Sequence, residues 1–199
     1  MTTVTPSQTS EFLRIAGSFF PCGPELSFAF CSSRPFTIEG WIGFSANLHG
    51  TTMVLSKPGE LTLGLLPRGQ LFVEHPAWRQ TLVGRTALKP GIWSHVGVTF
   101  DGTSIELYVH GIRDARGFVH SAASALHDPA SPELLPFAGE AWDLRCWNVA
   151  WTAPEMFRAT WVQREDSQGL VANFFPELPP PERRKLGRTD NPPRLPLAA

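Results

Sequence analysis

The 199-residue chain has no uninterrupted apolar run of about 18 residues, the length a membrane-spanning helix needs. Charge of one sign is also missing. Seventeen basic residues face eighteen acidic ones for a formal charge of -1, which excludes the basic footprint of a nucleic-acid binder or an anionic-membrane binder. Cysteine is scarce: Cys22, Cys31 and Cys146 show no Cys-x-x-Cys spacing, and no four close ligands suggest a structural zinc site. The odd count leaves two readings, one Cys22–Cys31 disulfide or three reduced thiols. The stretch Met1-Thr2-Thr3-Val4-Thr5-Pro6 lacks the basic and apolar regions of a secretory signal. Reduced thiols are therefore expected, in a cytoplasmic protein or one exported without a recognisable signal. Gly-x-Ser-x-Gly, His-Glu-x-x-His, a phosphate loop and an EF-hand loop are all absent, which removes the common motif-bearing enzymes.

What is present is an apolar chain punctuated by turn residues. Hydrophobic residues make up 42% and charged residues 18%, enough to bury a core. Seventeen Gly and nineteen Pro interrupt short apolar runs, a pattern of strands and turns rather than helices. Alternation predicts strands at 36–43, 52–56, 60–66, 69–75, 80–84, 93–100, 104–109, 112–116 and 141–149, with a closing strand at 169–175. Asp101-Gly102 reads as a two-residue type I′ turn, which would pair Val98 with Ile105 and His95 with Tyr108. Residues 120–136, with three Pro, read as a long loop. Thr152-Ala153-Pro154-Glu155 is a capping box with Pro in the first turn, so one short helix is expected near 153–161. Many short strands with frequent turns indicate an all-β sandwich or barrel.

Several segments resemble laminin-G-like jelly-roll domains of the concanavalin A-like lectin/glucanase fold. Phe36-Thr37-Ile38-Glu39-Gly40-Trp41-Ile42 is similar to their early strand, and Trp93 to Gly102 to their central signature. Leu107-Tyr108-Val109-His110-Gly111 is similar to the following hairpin, where His110 replaces the usual Asn. Asp143 to Asn148, the capped helix and Gly169 to Phe175 complete the match. The resemblance implies a two-sheet antiparallel β-sandwich over residues 1–178, followed by a Pro-rich basic tail at 179–199. Within that tail Arg183, Arg184, Lys185, Arg188 and Arg194 oppose only Glu182 and Asp190.

Function is less constrained. Retaining glucanases of this fold usually carry Glu-x-Asp-x-x-Glu on one strand. No such run occurs here, so the paired carboxylates of glycoside hydrolysis are not expected. Relatives often hold calcium at the sandwich rim. Asp114 and Asp128 are candidates by loop position, and no cofactor is otherwise required. Sugar binding needs an aromatic platform and fixed polar groups. Trp78, flanked by His75 and Arg79, either forms that platform or folds back on the sandwich edge. His95, Glu106, Tyr108 and Arg113 form either a polar groove floor or a satisfied cross-strand network. Glu39 and Arg145 are expected to pair, and Trp41, Trp93, Trp142 and Trp147 to pack in the core or under the helix. The leading expectation is a non-catalytic, lectin-like module for a glycan or glycosylated partner. The alternatives are an enzyme acting on a small molecule and a protein–protein assembly module.

Overall fold

A computed structural model describes residues 34–44, 47–57, 60–76, 78, 81–119, 135–161 and 168–174, together with the backbone of strands at 12–15 and 18–21. Two antiparallel sheets face each other, as a sandwich requires. The first is ordered β2 (Ser18–Pro21), β1 (Phe12–Ile15), β4 (Thr52–Lys57), β5 (Leu61–Leu65), β6 (Gln70–Glu74) and β7 (Leu82–Ala87). The two-residue strand β11 (Leu135–Pro136) runs parallel to β4. The second is ordered β10 (Ile112–Phe118), β9 (Ser104–Val109), β8 (Ser94–Phe100), β3 (Phe36–Gly43), β12 (Glu140–Trp147) and β13 (Leu170–Phe174). The single helix among the described residues, α1, is Ala153–Ala159. Strands β1, β2 and β11 are additions to the sequence expectation; each is short and lacks a long alternating run. The segments 120–134 and 175–199 lie outside the described residues, and so do Cys22, Cys31, Asp128 and the basic tail.

Alternation explains the core. On β3 the side chains of Phe36, Ile38 and Ile42 point between the sheets, and Val96, Val98 and Phe100 of β8 do the same. Ile105 and Leu107 of β9, Leu144 of β12 and Leu63 and Val73 of the opposite sheet meet them there, all buried. Cys146 is a buried thiol of this core. The intervening residues, Thr37, Glu39 and Trp41 on β3 and His95, Gly97 and Thr99 on β8, share the outer face.

Part of that outer face is roofed by α1. Thr152 and Glu155 form the expected capping box, with the Glu155 carboxylate accepting from the Thr152 amide and hydroxyl at 2.8 Å each. Tyr108, Trp147, Trp151, Met156 and Ala159 make a second, smaller core between sheet and helix. Gly97 is what admits the helix: a Cβ there would come within 2.6 Å of the Met156 sulfur. The Thr37 hydroxyl donates to Val149 O at 2.8 Å and accepts from Trp151 N at 2.9 Å, which ties the incoming segment to β3.

The β8–β9 register corrects the two-residue turn. The pairs are Phe100–Ile105, Val98–Leu107 and Gly97–Tyr108, two positions away from the expected ones. Asp101 is the reason. Its carboxylate accepts from the Thr103 and Ser104 amides at 2.8 and 2.6 Å and from the Ser104 hydroxyl at 2.8 Å, which builds a longer turn. A slip of two preserves parity, so every side chain keeps the face that alternation assigns to it.

Candidate functional site

The outer face of β3, β8 and β12 carries a buried ionic cluster. Glu39 is its centre and is fully buried. One carboxylate oxygen accepts from Trp147 Nε1 at 3.3 Å and forms an ion pair with Arg145, whose Nε lies 2.6 Å away. The other accepts from His95 Nε2 at 3.0 Å and lies 3.5 Å from an Arg145 terminal nitrogen. Arg145 also reaches Asp143 at 3.5 Å. The expected Glu39–Arg145 pair is therefore present, but His95 joins it instead of Glu106. His95 Nδ1 is buried with no hydrogen-bond partner. A buried carboxylate persists only when charge and donors surround it, and here the side chains of Arg145, His95 and Trp147 do so.

Aromatic rings border this cluster. Trp41, half-buried, stands edge-on to His95 with ring centroids 5.3 Å apart. Trp142 lies 6.3 Å from Trp41 on one side and His110 lies 6.5 Å away on the other. Only two non-glycine residues among those described have positive φ, His110 at 51° and Asp143 at 49°. Both adjoin this spot: His110 touches Trp41, and Asp143 follows Trp142 at the β12 bulge. Left-handed backbone at a non-glycine costs energy and collects at binding and catalytic sites. Burial, then the neighbouring His95, lowers the pKa of His110 from its ordinary value, so its imidazole is held neutral.

The site residues singled out in the sequence fall into three places. Glu106, Tyr108 and Arg113 form the satisfied network. The Tyr108 hydroxyl donates to Glu106, and Arg113 and Arg116 reach the same carboxylate at 3.0 and 3.2 Å. Burial and the Glu106 bond raise the Tyr108 pKa. His95 belongs to the Glu39 cluster. Trp78 folds back: its indole is 6% exposed, stacks on His75 at 4.9 Å and packs against Phe100 at 5.4 Å. The ring is therefore covered, which an open platform would not be. Arg79 lies outside the described residues. Asp114 is no loop residue. It sits at the β10 bulge, where it accepts from the Arg85 and Thr86 amides at 2.8 and 3.0 Å and from the Thr86 hydroxyl at 2.6 Å. No group of three metal-ligating side chains occurs among the described residues.

Trp41, His110 and Asp143 are the residues that sequence reasoning passed over as site members. Parity placed Glu39, Trp41 and His95 on one face, and that was the available signal. What it lacked was the bulge between Trp142 and Arg145 that brings Asp143 beside them.

Comparison with known proteins bears on the fold. A laminin-G-type family model, described as the concanavalin A-like lectin/glucanases superfamily, matches residues 24–156. No curated protein matches the chain. Among solved structures, a candidate carbohydrate-binding protein from Bacteroides ovatus superposes with a TM-score of 0.58 at 20% identity, covering 72% of this chain and 45% of that one. A heptameric SAP-like pentraxin from Limulus polyphemus gives 0.45 at 14% identity, covering 64% and 70%. A Trypanosoma rangeli sialidase gives 0.48 at 14% identity, covering 65% and 23%. The chain thus spans less than half of the Bacteroides protein and about a quarter of the sialidase.

Proposed function

Because the chain belongs to the concanavalin A-like lectin/glucanases superfamily, we propose that it is a non-catalytic, lectin-like module for a glycan or glycosylated partner, with the face around Trp41 as its binding surface. One observation supports this: the half-buried Trp41 ring and the two left-handed non-glycine residues, His110 and Asp143, converge on a single patch. Sugar recognition asks for an aromatic face to meet C–H surface and a few fixed polar groups to orient hydroxyls. Trp41 offers the first. The neutral imidazole of His110 offers the second, with one ring nitrogen to donate and one to accept. The buried Glu39 cluster fixes the floor beneath them. The carbohydrate-binding description of the Bacteroides ovatus relative points the same way.

An acid–base enzyme built on His95 and Glu39 has less support, because both side chains are fully buried and present no atom to an external substrate. The test is a thermal-shift screen of the full chain with mono- and oligosaccharides, run in calcium and in EDTA. A ligand that binds only the folded state raises the melting temperature by mass action. A sugar-dependent rise that disappears in Trp41→Ala, with the unliganded variant still melting cooperatively, is the expected result. A rise that Trp41→Ala retains moves the site elsewhere, and a rise with calcium alone replaces the sugar with a metal. No rise with any sugar removes the lectin reading.

A further inference from the structure

The aromatic surface does not stop at His110. Seven large apolar side chains are exposed among the described residues, and two of them, Phe157 at 37% and Trp161 at 38%, lie at the end of α1 beside the β9–β10 turn. Phe157 and Trp161 meet edge to face with centroids 6.1 Å apart. The turn that carries His110 is packed directly on them. A Cβ at Gly111 would stand 2.6 Å from Phe157 Cα and 3.1 Å from the Thr160 methyl. The surface rings therefore follow one another in the order Trp41, His110, Phe157, Trp161, with the buried Trp142 beside Trp41 and the polar His110–Gly111 turn between the two aromatic groups.

Resting on the lectin reading, we infer that the ligand is an extended oligosaccharide rather than a single sugar, and that Phe157 and Trp161 form its second stacking platform. A single pyranose covers one indole face and leaves the other platform bare. A chain of sugars alternates apolar C–H faces with hydroxyl edges, which matches two aromatic platforms separated by a polar turn. Arg113, with its side chain 51% exposed, lies one residue beyond Ile112 and offers donors to the hydroxyls at that end. Such a site gains affinity with ligand length because each further contact is made without a new loss of translational freedom.

The experiment is titration calorimetry of the full chain against β-1,4-glucan, α-1,4-glucan and β-1,4-mannan ladders of one to six units. The expected result is a dissociation constant that falls about tenfold or more between two and five units, the effect of one added aromatic contact. Trp161→Ala and the Phe157→Ala/Trp161→Ala pair should keep the wild-type affinity for short oligomers and lose the gain with length. Trp41→Ala should lose binding at every length. Length-independent affinity in the wild type, or a length gain that survives the double variant, overturns the inference and leaves the lectin reading standing. A concentration-dependent dimer that the double variant abolishes also overturns it, since the patch then belongs to a second copy. Failure of the wild type to bind any ladder removes the lectin reading and this inference together.

Discussion

Glu39 and His95 are fully buried partners on adjacent strands, joined by a 3.0 Å hydrogen bond across the β3–β8 pairing on the outer face of the sheet. The same carboxylate neutralises Arg145, so removing it leaves the buried guanidinium with only its 3.5 Å contact to Asp143. Breaking a buried pair from one side costs about 3–5 kcal/mol, because the remaining charge is left in a low-dielectric setting. Glu39→Ala is therefore expected to lower the unfolding free energy by that order in urea titration. Glu39→Gln keeps the shape and should lose somewhat less. A cost below about 1 kcal/mol for Glu39→Ala would mean that water reaches the cluster.

The Asp101 turn supplies a second prediction and separates what the sequence discloses from what it hides. The Asp101 pKa is lowered: burial pushes it up, but the Ser104 and Thr103 bonds and Arg116 outweigh that. A depressed carboxylate contributes stability above its unfolded pKa of 3.8, and that contribution is lost as pH falls through the lower folded value. Asp101→Asn should flatten stability between pH 4 and pH 2 relative to wild type, by urea midpoints across that range. The dipeptide Asp-Gly correctly marked a turn, and alternation correctly assigned faces. The number of residues in the turn depends on how one side chain spends its lone pairs, and no periodicity reports that. The bulge at Asp143 was hidden for a similar reason: it interrupts β12 without any Gly or Pro to announce it. Strand β3 was legible because Phe36, Ile38 and Ile42 keep the two-residue period of the inward face.

His110 links stability to pH with the opposite chemistry. Its folded pKa lies below the ordinary 6.5, by burial first and by His95 second. The unfolded chain thus binds the proton more readily, and stability falls as pH drops below about 6.5 until the folded group also protonates. His110→Asn removes this term. Asn also tolerates the φ of 51° better than most residues. The variant should match or exceed the wild type at pH 7.5, within about 1 kcal/mol, and its advantage should widen at pH 5. Melting temperatures at the two pH values measure this, and an advantage that shrinks on acidification would contradict it.

Asp114 closes one side of the sandwich. It projects from β10, the end of one sheet order, and binds the Arg85 and Thr86 amides of β7, the end of the other. Gly84 leaves room for the carboxylate, since a Cβ there would collide with it. Hydrogen bonds to a charged group are worth about 1.5–3 kcal/mol each, less where solvent reaches them. Asp114→Ala should cost about 2 kcal/mol in all and speed hydrogen exchange at the Arg85 and Thr86 amides specifically. Uniformly faster exchange over the whole sheet would instead mean a global loss of stability.

Two glycines provide a matched pair for the contact between the β9–β10 turn and the helix. Gly102 and Gly111 both have positive φ, 97° and 74°. A Cβ at Gly102 would meet nothing within 4 Å, whereas at Gly111 it would meet the Phe157 backbone at 2.6 Å. Gly102→Ala therefore carries only the conformational penalty, about 1–2 kcal/mol. Gly111→Ala carries that penalty plus a clash with backbone that cannot rotate away, so it should cost at least about 1 kcal/mol more. Because the clash pushes α1 outward, Gly111→Ala should also raise the fluorescence sensitivity of the tryptophans near the helix to an aqueous quencher, and Gly102→Ala should not. Equal costs for the two substitutions would show that α1 yields freely, and that the turn does not hold Trp41 and the Phe157–Trp161 pair in fixed relation.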